Sequence, residues 1–437
     1  MKQVIVIIFF ISSVIIPQNK TLTIEESVQI GLRNSKDLSI SKSKTRLADA
    51  KITEISSQML PQLKFSASYS RLSEVPPFEV VTPFSPSPIR LQDAILNNYN
   101  FRLSLQQPLF TGFRLSALQS AAEYTYQASQ YEYSAAENDH VIRIQEAFWN
   151  FYNSQKVAEL LSEQLVSINQ HLTDTKNFME NGLATLNDVL KLEVQYSNLE
   201  LKLIEAENNL ELARINFNRM IGLELFSETE ILVQEFIPQY EKFLVQELIE
   251  EALQNRNEIK SFENRLIASE ESITASNSGW YPSIYLFGNA YYNKPNQRIM
   301  PAKDQFDDSW DVGISLNWDL WNWGHTSSQS DQAEELKLQT ETNLLQLTES
   351  IETEVTREYL NYTKSIKKVE VARKSVEQAT ENYRLTNEKY NSQVASSSDL
   401  IDAQTYQLEA ETNLVSAIVS FHISKAKLER AAGRKLY

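Results

Sequence analysis

The sequence predicts a mainly helical fold with membrane-spanning β-strands, built from two copies of one structural unit. Residues 115–181 and 325–392 contain neither proline nor glycine, so each stretch can form one uninterrupted helix. Shorter stretches before them alternate apolar and polar residues, which is the period of a β-strand. The same order of patterns occurs twice along the chain, which indicates an internal duplication.

The composition excludes several classes of protein. The 437 residues include 41 basic and 57 acidic side chains, a net charge of −16, so nucleic acid is not an expected partner. The chain has no cysteine, which removes disulfide frameworks, thiolate metal sites, cysteine nucleophiles and lipidation of an N-terminal cysteine. Only 9 residues are glycine, which argues against a turn-rich all-β fold.

Residues 1–18 are expected to be a cleaved signal peptide. Lys2 precedes an apolar run from Val4 to Ile16, which is too short to cross a bilayer and has the form of a secretory signal. An uncleaved signal anchor is the alternative. We expect an exported chain without a lipid anchor. Because no later stretch reaches 18 consecutive apolar residues, the chain can enter a membrane only as β-strands.

The duplication defines the expected domain organisation. Residues 26–69 align with residues 247–290, and the predicted repeats are residues 19–222 and 246–437, joined by an inter-repeat segment at 223–245. The repeats differ most between about residues 70 and 100, where the first carries VPPFEVVTPFSPSPIR. Its prolines are incompatible with a helix interior or a central strand. Each repeat should contain a helix, two strands, a very long helix and a shorter helix.

The strands are predicted at about 61–71 and 99–109 in the first repeat, and at about 282–292 and 310–320 in the second. Their alternation suits a membrane barrel that is apolar outside and wet inside; a soluble sandwich is the alternative, although four strands are too few to hide both faces. Aromatic residues lie around the second pair of strands, as an interfacial belt requires. The proposed belt consists of Trp280, Tyr281, Tyr291, Trp310, Trp318, Trp321 and Trp323.

The long helices are predicted at about 115–181 and 325–391, and the shorter ones at about 185–221 and 396–432. The helix at 185–221 has apolar residues at alternating spacings of three and four, among them Val189, Leu192 and Leu199. This is the pattern of coiled-coil packing, and the second repeat carries it in a weaker form.

Four strands cannot close a barrel, and open strand edges are not tolerated in lipid. The smallest barrels need about eight strands, so the chain must associate at least as a dimer. An aqueous pore needs more strands, which favours three chains and twelve strands.

The sequence resembles the TolC family of outer-membrane efflux proteins. The resemblance lies in LTIEESVQIGLRNSKDLSI, LPQLKFSASYS, the paired PLFTGF and DLWNWG, NGLATLNDVLKLE and the terminal RAAG. It implies a homotrimer whose twelve-stranded β-barrel lies in outer-membrane lipid, with a twelve-helix α-barrel of long antiparallel coiled coils in the periplasm. It also implies an exit duct that works with a periplasmic adaptor protein and an inner-membrane transporter, either a resistance pump or an ATP-driven exporter.

The two turns between the long and shorter helices carry the candidate gate residues. Asp188 and Asp399 each follow a Thr or Ser at the spacing of a capping box. A cap does not explain Asp402, which shares a helix face with Asp399 although like charges repel there. By the resemblance, Asp399 and Asp402 line a periplasmic aperture, forming a ring of six carboxylates in a trimer.

The resemblance also assigns Tyr390 to gate stabilisation through a bond to Asp188. Ala395 stands where well-known members of the family have an arginine that braces the closed state. The turns themselves are the expected adaptor-docking surface, with exposed loops lacking a partner as the alternative. The docking residues are Asn181, Gly182, Leu183, Ala184, Thr185, Ser392, Gln393, Val394, Ala395 and Ser396.

We therefore expect a passive channel for drugs and toxic compounds. Type I protein secretion is the alternative cargo, and a periplasmic coiled-coil scaffold without a pore is an alternative of another class. No enzymatic activity, metal or cofactor is expected, because the chain has no phosphate loop, dinucleotide fingerprint or serine elbow. The histidines show no metal-binding spacing; they are His140, His171, His325 and His422.

Overall fold

The computed structural model describes residues 20–76, 78–92, 95–233 and 240–436. The expected signal peptide at 1–18 lies outside these residues, as does part of the inter-repeat segment, at 234–239. In chain order the elements are β1 (Lys20–Leu22), α1 (Ile24–Asn34), α2 (Lys36–Ser57), β2 (Gln62–Arg71), β3 (Phe78–Val80), β4 (Ile89–Gln92), β5 (Asn97–Thr111), α3 (Arg114–Glu180), α4 (Leu186–Ile221), β6 (Thr229–Ile231), α5 (Val245–Asn255), α6 (Asn257–Ser276), a 3-10 turn (Asn277–Trp280), β7 (Ser283–Lys294), β8 (Asp307–Asn317), α7 (His325–Asn391) and α8 (Ser397–Ala431).

The chain forms two compact units. The first contains the part up to Ile40, Ser134–Arg256 and the part from Glu349, and the second contains Ser41–Tyr133 and Asn257–Thr348. Each unit therefore takes residues from both repeats. In the described part of the chain, no helix combines the length and the apolar character needed to cross a membrane.

The second unit contains an antiparallel sheet with the strand order β2–β5–β7–β8. Its register aligns Phe65 with Leu103, Leu103 with Ala290, and Ala290 with Trp310. Partners in register point to the same side of a sheet, so these residues share one face. The face is apolar and exposed, and it continues through Leu63, Leu105, Leu286, Val312 and Ile314.

The opposite face of this sheet is polar and internally bonded. Arg102 donates from Nε and Nη2 to Asn289 Oδ1, at 3.0 and 2.7 Å, and Asn289 Nδ2 donates to Asp311 Oδ1 at 2.6 Å. One side of the sheet thus suits lipid and the other suits water, as the alternation predicts. The proline-rich region before β5 adds an antiparallel pair, β3 with β4, which the sequence pattern did not indicate.

In the first unit, the C-terminal parts of the long helices pack against the shorter helices. Val189, Leu192 and Leu199 of α4 are buried in one cluster with Leu161 and Ile168 of α3. The seam of alternating three- and four-residue spacings is therefore the buried side of α4. A parallel pair of β1 with β6 lies in the same unit.

The duplication is visible in how each repeat ends. Gly222 follows α4 at φ +75°, and a Cβ there would lie 2.5 Å from the Cβ of Asn34. Gly433 follows α8 at φ +73°, and a Cβ there would lie 3.1 Å from the Cβ of Asn255. A left-handed backbone and a close neighbour both favour glycine. In both repeats, therefore, a glycine lets the end of the repeat's last helix pack closely against the end of its first helix.

Candidate functional site

The turn after α3 is a glycine-terminated helix end. The Gly182 N–H donates to the Met179 carbonyl at 2.9 Å and the Leu183 N–H donates to the Phe178 carbonyl at 2.8 Å. This pair of bonds is a Schellman motif, which requires a left-handed residue, and Gly182 has φ +72°. Leu183 stands beyond it with 58% of its surface exposed.

The turn after α7 has the same hydrogen bonds without the glycine. The Gln393 N–H donates to the Tyr390 carbonyl at 2.9 Å and the Val394 N–H donates to the Lys389 carbonyl at 2.8 Å. Gln393 has φ +61°, a conformation that costs a non-glycine residue about 1 kcal/mol. Val394, which corresponds to Leu183, is 77% exposed. Both turns therefore present an apolar side chain to solvent.

Each turn leads into a helix closed by a capping box. The Thr185 N–H donates to Asp188 Oδ2 at 3.0 Å while Thr185 Oγ1 accepts the Asp188 N–H at 3.3 Å. Ser396 and Asp399 make the same two bonds at 2.9 and 3.2 Å. Hydrogen bonds from Thr185, and then from Ser397, lower the pKa of Asp188. Bonds from Ser396 lower the pKa of Asp399, so both carboxylates are held in the charged form.

Two hydrogen bonds join the start of α4 to the start of α8. Ser397 Oγ donates to Asp188 Oδ1 at 2.7 Å, and Lys191 Nζ donates to Ser398 Oγ at 2.9 Å. Ser397 is only 2% exposed. This link between the turns was not predicted from the sequence, where its only signal is the run of serines that follows Ser396.

Tyr390 stabilises α7 against α3 rather than against the start of α4. Its hydroxyl is hydrogen-bonded to Thr175 Oγ1, which in turn donates to the His171 carbonyl at 2.7 Å. Burial raises the pKa of Tyr390. The bond to Asp188 that the resemblance implied is therefore not the one that forms, because Thr175 takes the tyrosine hydroxyl and Ser397 takes the free carboxylate oxygen.

Asp402 lies one turn beyond Asp399 on α8 and is exposed. Within the described ranges it has no hydrogen bond or ion pair, so its carboxylate is open to solvent. It lines a shallow groove between α4 and α8 together with Lys191, the residue at the corresponding position of the first repeat. The groove thus combines one positive and one negative side chain.

The aromatic residues of the second unit lie near the two ends of the strands of the sheet. Six of the seven predicted belt residues are exposed: Trp280, Tyr281, Trp310, Trp318, Trp321 and Trp323. The assignment of Tyr291 was wrong, because it aligns with Arg102 and its ring lies on the polar face. The guanidinium carbons of Arg102 and Arg298 are 5.6 and 5.4 Å from its centroid.

The hairpin end of the apolar face has an aromatic cluster whose members Phe306 and Tyr99 were not predicted to belong to the belt. Phe306 stacks on Tyr292 with ring centroids 5.0 Å apart, and it contacts Tyr99 at 5.7 Å. Trp280 and Trp318 lie at the other end of the strands, where Trp318 Nε1 donates to the Trp280 carbonyl at 3.3 Å. Aromatic girdles at both ends of an apolar band are typical of outer-membrane strands.

Comparison with known proteins shows which family the chain resembles. The outer membrane efflux protein model matches residues 28–223 and 248–434. The outer membrane protein TolC of Vibrio cholerae is 22% identical over 385 residues, which cover 87% of this chain and 84% of that protein. The toxin and drug export protein A of Aggregatibacter actinomycetemcomitans is 21% identical over 328 residues, covering 72% and 68%.

A solved structure shows the same fold. The Campylobacter jejuni CmeC outer membrane channel superposes with a TM-score of 0.78 at 17% identity, covering 94% of this chain and 85% of that one. The predicted fold class, mainly helical and duplicated with a four-stranded sheet in each chain, is confirmed. The match to the outer membrane efflux protein family supports the channel and not the scaffold without a pore. The chain belongs to the outer membrane efflux protein family and is an outer-membrane efflux channel of the TolC type.

Proposed function

We propose that three copies of this chain form a channel through the outer membrane that is gated at its periplasmic end by the turns before α4 and α8. The sheet supports the trimer, since among the described residues its outer strands β2 and β8 each have one unpaired edge, and lipid does not tolerate open edges. Pairing β8 of one copy with β2 of the next closes twelve strands around the polar face. Removal of residues 1–18 during export, without a lipid anchor, belongs to this proposal.

The adaptor protein docks on the two turns of each copy. Leu183 and Val394 carry the support for this step, because each is an exposed apolar side chain on a turn closed by two backbone hydrogen bonds. Apolar anchors on preorganised backbone are what a docking partner can bury at low entropic cost. Energy for transport comes from the inner-membrane transporter that the adaptor holds, and the channel itself is passive.

Asp402 carries the gate assignment. Its carboxylate is exposed and unbonded within the described residues, whereas one oxygen of Asp399 is committed to the capping box. Three copies bring three Asp402 and three Asp399 carboxylates to the entrance. A ring of carboxylates attracts cations and binds multivalent ones most strongly.

The cargo is small toxic molecules delivered by a pump. The name of the Aggregatibacter relative covers both toxins and drugs, so protein secretion is the competing cargo. A strain lacking this gene, tested for sensitivity to toxic compounds and for proteins in its culture medium, separates the two. Loss of a secreted protein with unchanged sensitivity would reverse the assignment.

Recordings in planar lipid bilayers test the channel and its gate. The membrane-extracted chain should migrate as a heat-dissociable trimer and conduct ions, and a water-soluble monomer without conductance would end the channel proposal. Asp402→Asn should weaken block by a trivalent cation, and Lys191→Ala should strengthen it. Glu409→Gln, two turns further along α8, is the matched control and should leave the block unchanged. Wild-type block in the Asp402→Asn channel would remove Asp402 from the gate.

A further inference from the structure

The exposed side of α4 carries a second apolar stripe that the described residues of its own chain leave uncovered. The stripe lies opposite the buried seam of Val189, Leu192 and Leu199, at spacings of three, four or seven residues, which keep it on one side of the helix. A helix that is apolar on two opposite sides is packed on both. The stripe consists of Leu186, Leu190, Val194, Leu201 and Ile204, all exposed.

Acidic side chains border this stripe. Glu200 and Glu207 are one heptad apart and exposed, and neither has an ion pair within the described ranges of the chain. Unpaired charges beside an apolar stripe occupy the positions that select partners in coiled coils.

The exposed side of α7 has the complementary character. Within the first unit it combines apolar and basic residues, with one glutamine, at heptad spacing, and none of its lysines has an ion pair in the described residues. Val371 is 71% exposed. The stripe consists of Leu360, Lys364, Lys367, Val371, Lys374, Gln378 and Leu385, all exposed.

The two stripes match when the helices run antiparallel. Aligning Ile204 with Val371 also aligns Leu190 with Leu385, because the two members of each stripe are equally far apart. The same alignment brings Glu200 beside Lys374 and Glu207 beside Lys367, whose flexible stems let the ammonium groups reach the border of the stripe. Apolar contacts and opposite charges thus agree on one register.

The aligned residues also lie at similar distances from the helix ends that meet at the turns. Leu190 lies within about two helical turns of the start of α4, and Leu385 lies within about two turns of the end of α7. The Ser397–Asp188 bond joins the start of α4 to the start of α8, which follows the end of α7 across one short turn, so the two helix ends lie at a similar level. A contact between different surfaces without an axial step generates a closed ring rather than a filament.

We propose that the α4 stripe of one copy packs antiparallel against the α7 stripe of the next copy, in the register that pairs Ile204 with Val371. This rests on the proposed trimer and specifies which faces form it. Glu200–Lys374 and Glu207–Lys367 are its intermolecular ion pairs.

Disulfide cross-linking tests the register directly, because the chain has no cysteine of its own. Ile204→Cys with Val371→Cys should form intermolecular disulfides on oxidation, giving a covalent trimer after boiling in detergent. Ile204→Cys with Leu385→Cys is the matched control; its second site lies about 20 Å away along α7, beyond the reach of a disulfide. Each single-cysteine variant should remain uncross-linked.

The possible results separate this register from the trimer itself. A normal trimer in which the Ile204/Val371 pair cross-links no better than the control would overturn the register and leave the trimer standing. A disulfide within one copy would overturn it as well. A chain that is monomeric in the membrane would overturn the trimer, and the register with it.

Charge reversal gives a second readout. Glu200→Lys and Lys374→Glu should each lower the temperature at which the trimer dissociates, and the double variant should recover at least half of the loss. Arg373→Glu, whose exposed side chain points about 100° around α7 from Lys374 and away from the stripe, should leave it unchanged. Absence of recovery in a double variant that still assembles would contradict the Glu200–Lys374 pair.

Discussion

Removing the Ser397 hydroxyl should loosen the gate. Ser397→Ala deletes the 2.7 Å bond to Asp188 Oδ1 while keeping the buried side chain nearly the same size. A hydrogen bond to a charged group contributes about 1.5–3 kcal/mol. Asp188 is partly exposed and keeps its capping bonds, so the low end, about 1.5 kcal/mol, applies. That corresponds to a shift of about tenfold in the equilibrium between linked and separated turns.

Single-channel recording measures this shift as the open probability of the purified trimer. The expected result for Ser397→Ala is an increase of up to about tenfold at unchanged unit conductance. Ser392→Ala is the control, because among the described residues Ser392 Oγ donates only to the Glu388 carbonyl at the end of α7, at 2.9 Å, and does not link the two turns. An unchanged open probability in Ser397→Ala, or an equal rise in Ser392→Ala, would refute the role of the link.

Two further outcomes follow from the turns. The pKa of Asp188 is lowered in the folded chain, so its carboxylate stabilises the linked turns at any pH above the ordinary carboxyl pKa of 3.8. This stabilisation is lost as the pH falls through the lower pKa of the folded state. Open probability should therefore stay constant from pH 7 to 5 and rise only below about pH 4, a response that Asp188→Asn abolishes; a rise already at pH 6 would contradict it. Gly182→Ala should destabilise its turn by about 1 kcal/mol, whereas Gln393→Gly should stabilise its turn by about 0.5 kcal/mol. Limited proteolysis should be faster at the turn of the Gly182→Ala variant and slower at the turn of the Gln393→Gly variant. Equal rates in both variants would show that the left-handed backbone does not limit opening of the turns.

The features that the sequence revealed depend on local periodicity. The buried seam of Val189, Leu192 and Leu199 follows from spacing alone, since a helix places such residues on one side. The capping boxes at Thr185 and Ser396 are equally local. The duplication supports these predictions, because each pattern occurs in both repeats.

The features that the sequence did not reveal depend on contacts between distant residues. Aromatic residues occur on both sides of β7, so alternation alone could not place Tyr291; its register with Arg102 decides the side. The partner of Tyr390 depends on how α7 packs against α3, which brings Thr175 to its hydroxyl. The Ser397–Asp188 bond depends in the same way on the relative position of two turns.

The groove shared by Lys191 and Asp402 has a consequence for the electric field at the entrance. These residues occupy equivalent positions in the two repeats, so a trimer of duplicated chains presents six such positions that alternate in sign. Their monopoles cancel, and a field of alternating sign decays with distance much faster than that of a uniform ring. A molecule approaching the entrance is then attracted over long range by the capping carboxylates Asp188 and Asp399 rather than by Asp402. The alternation acts only at contact, where it favours molecules that carry both charges at a matching separation.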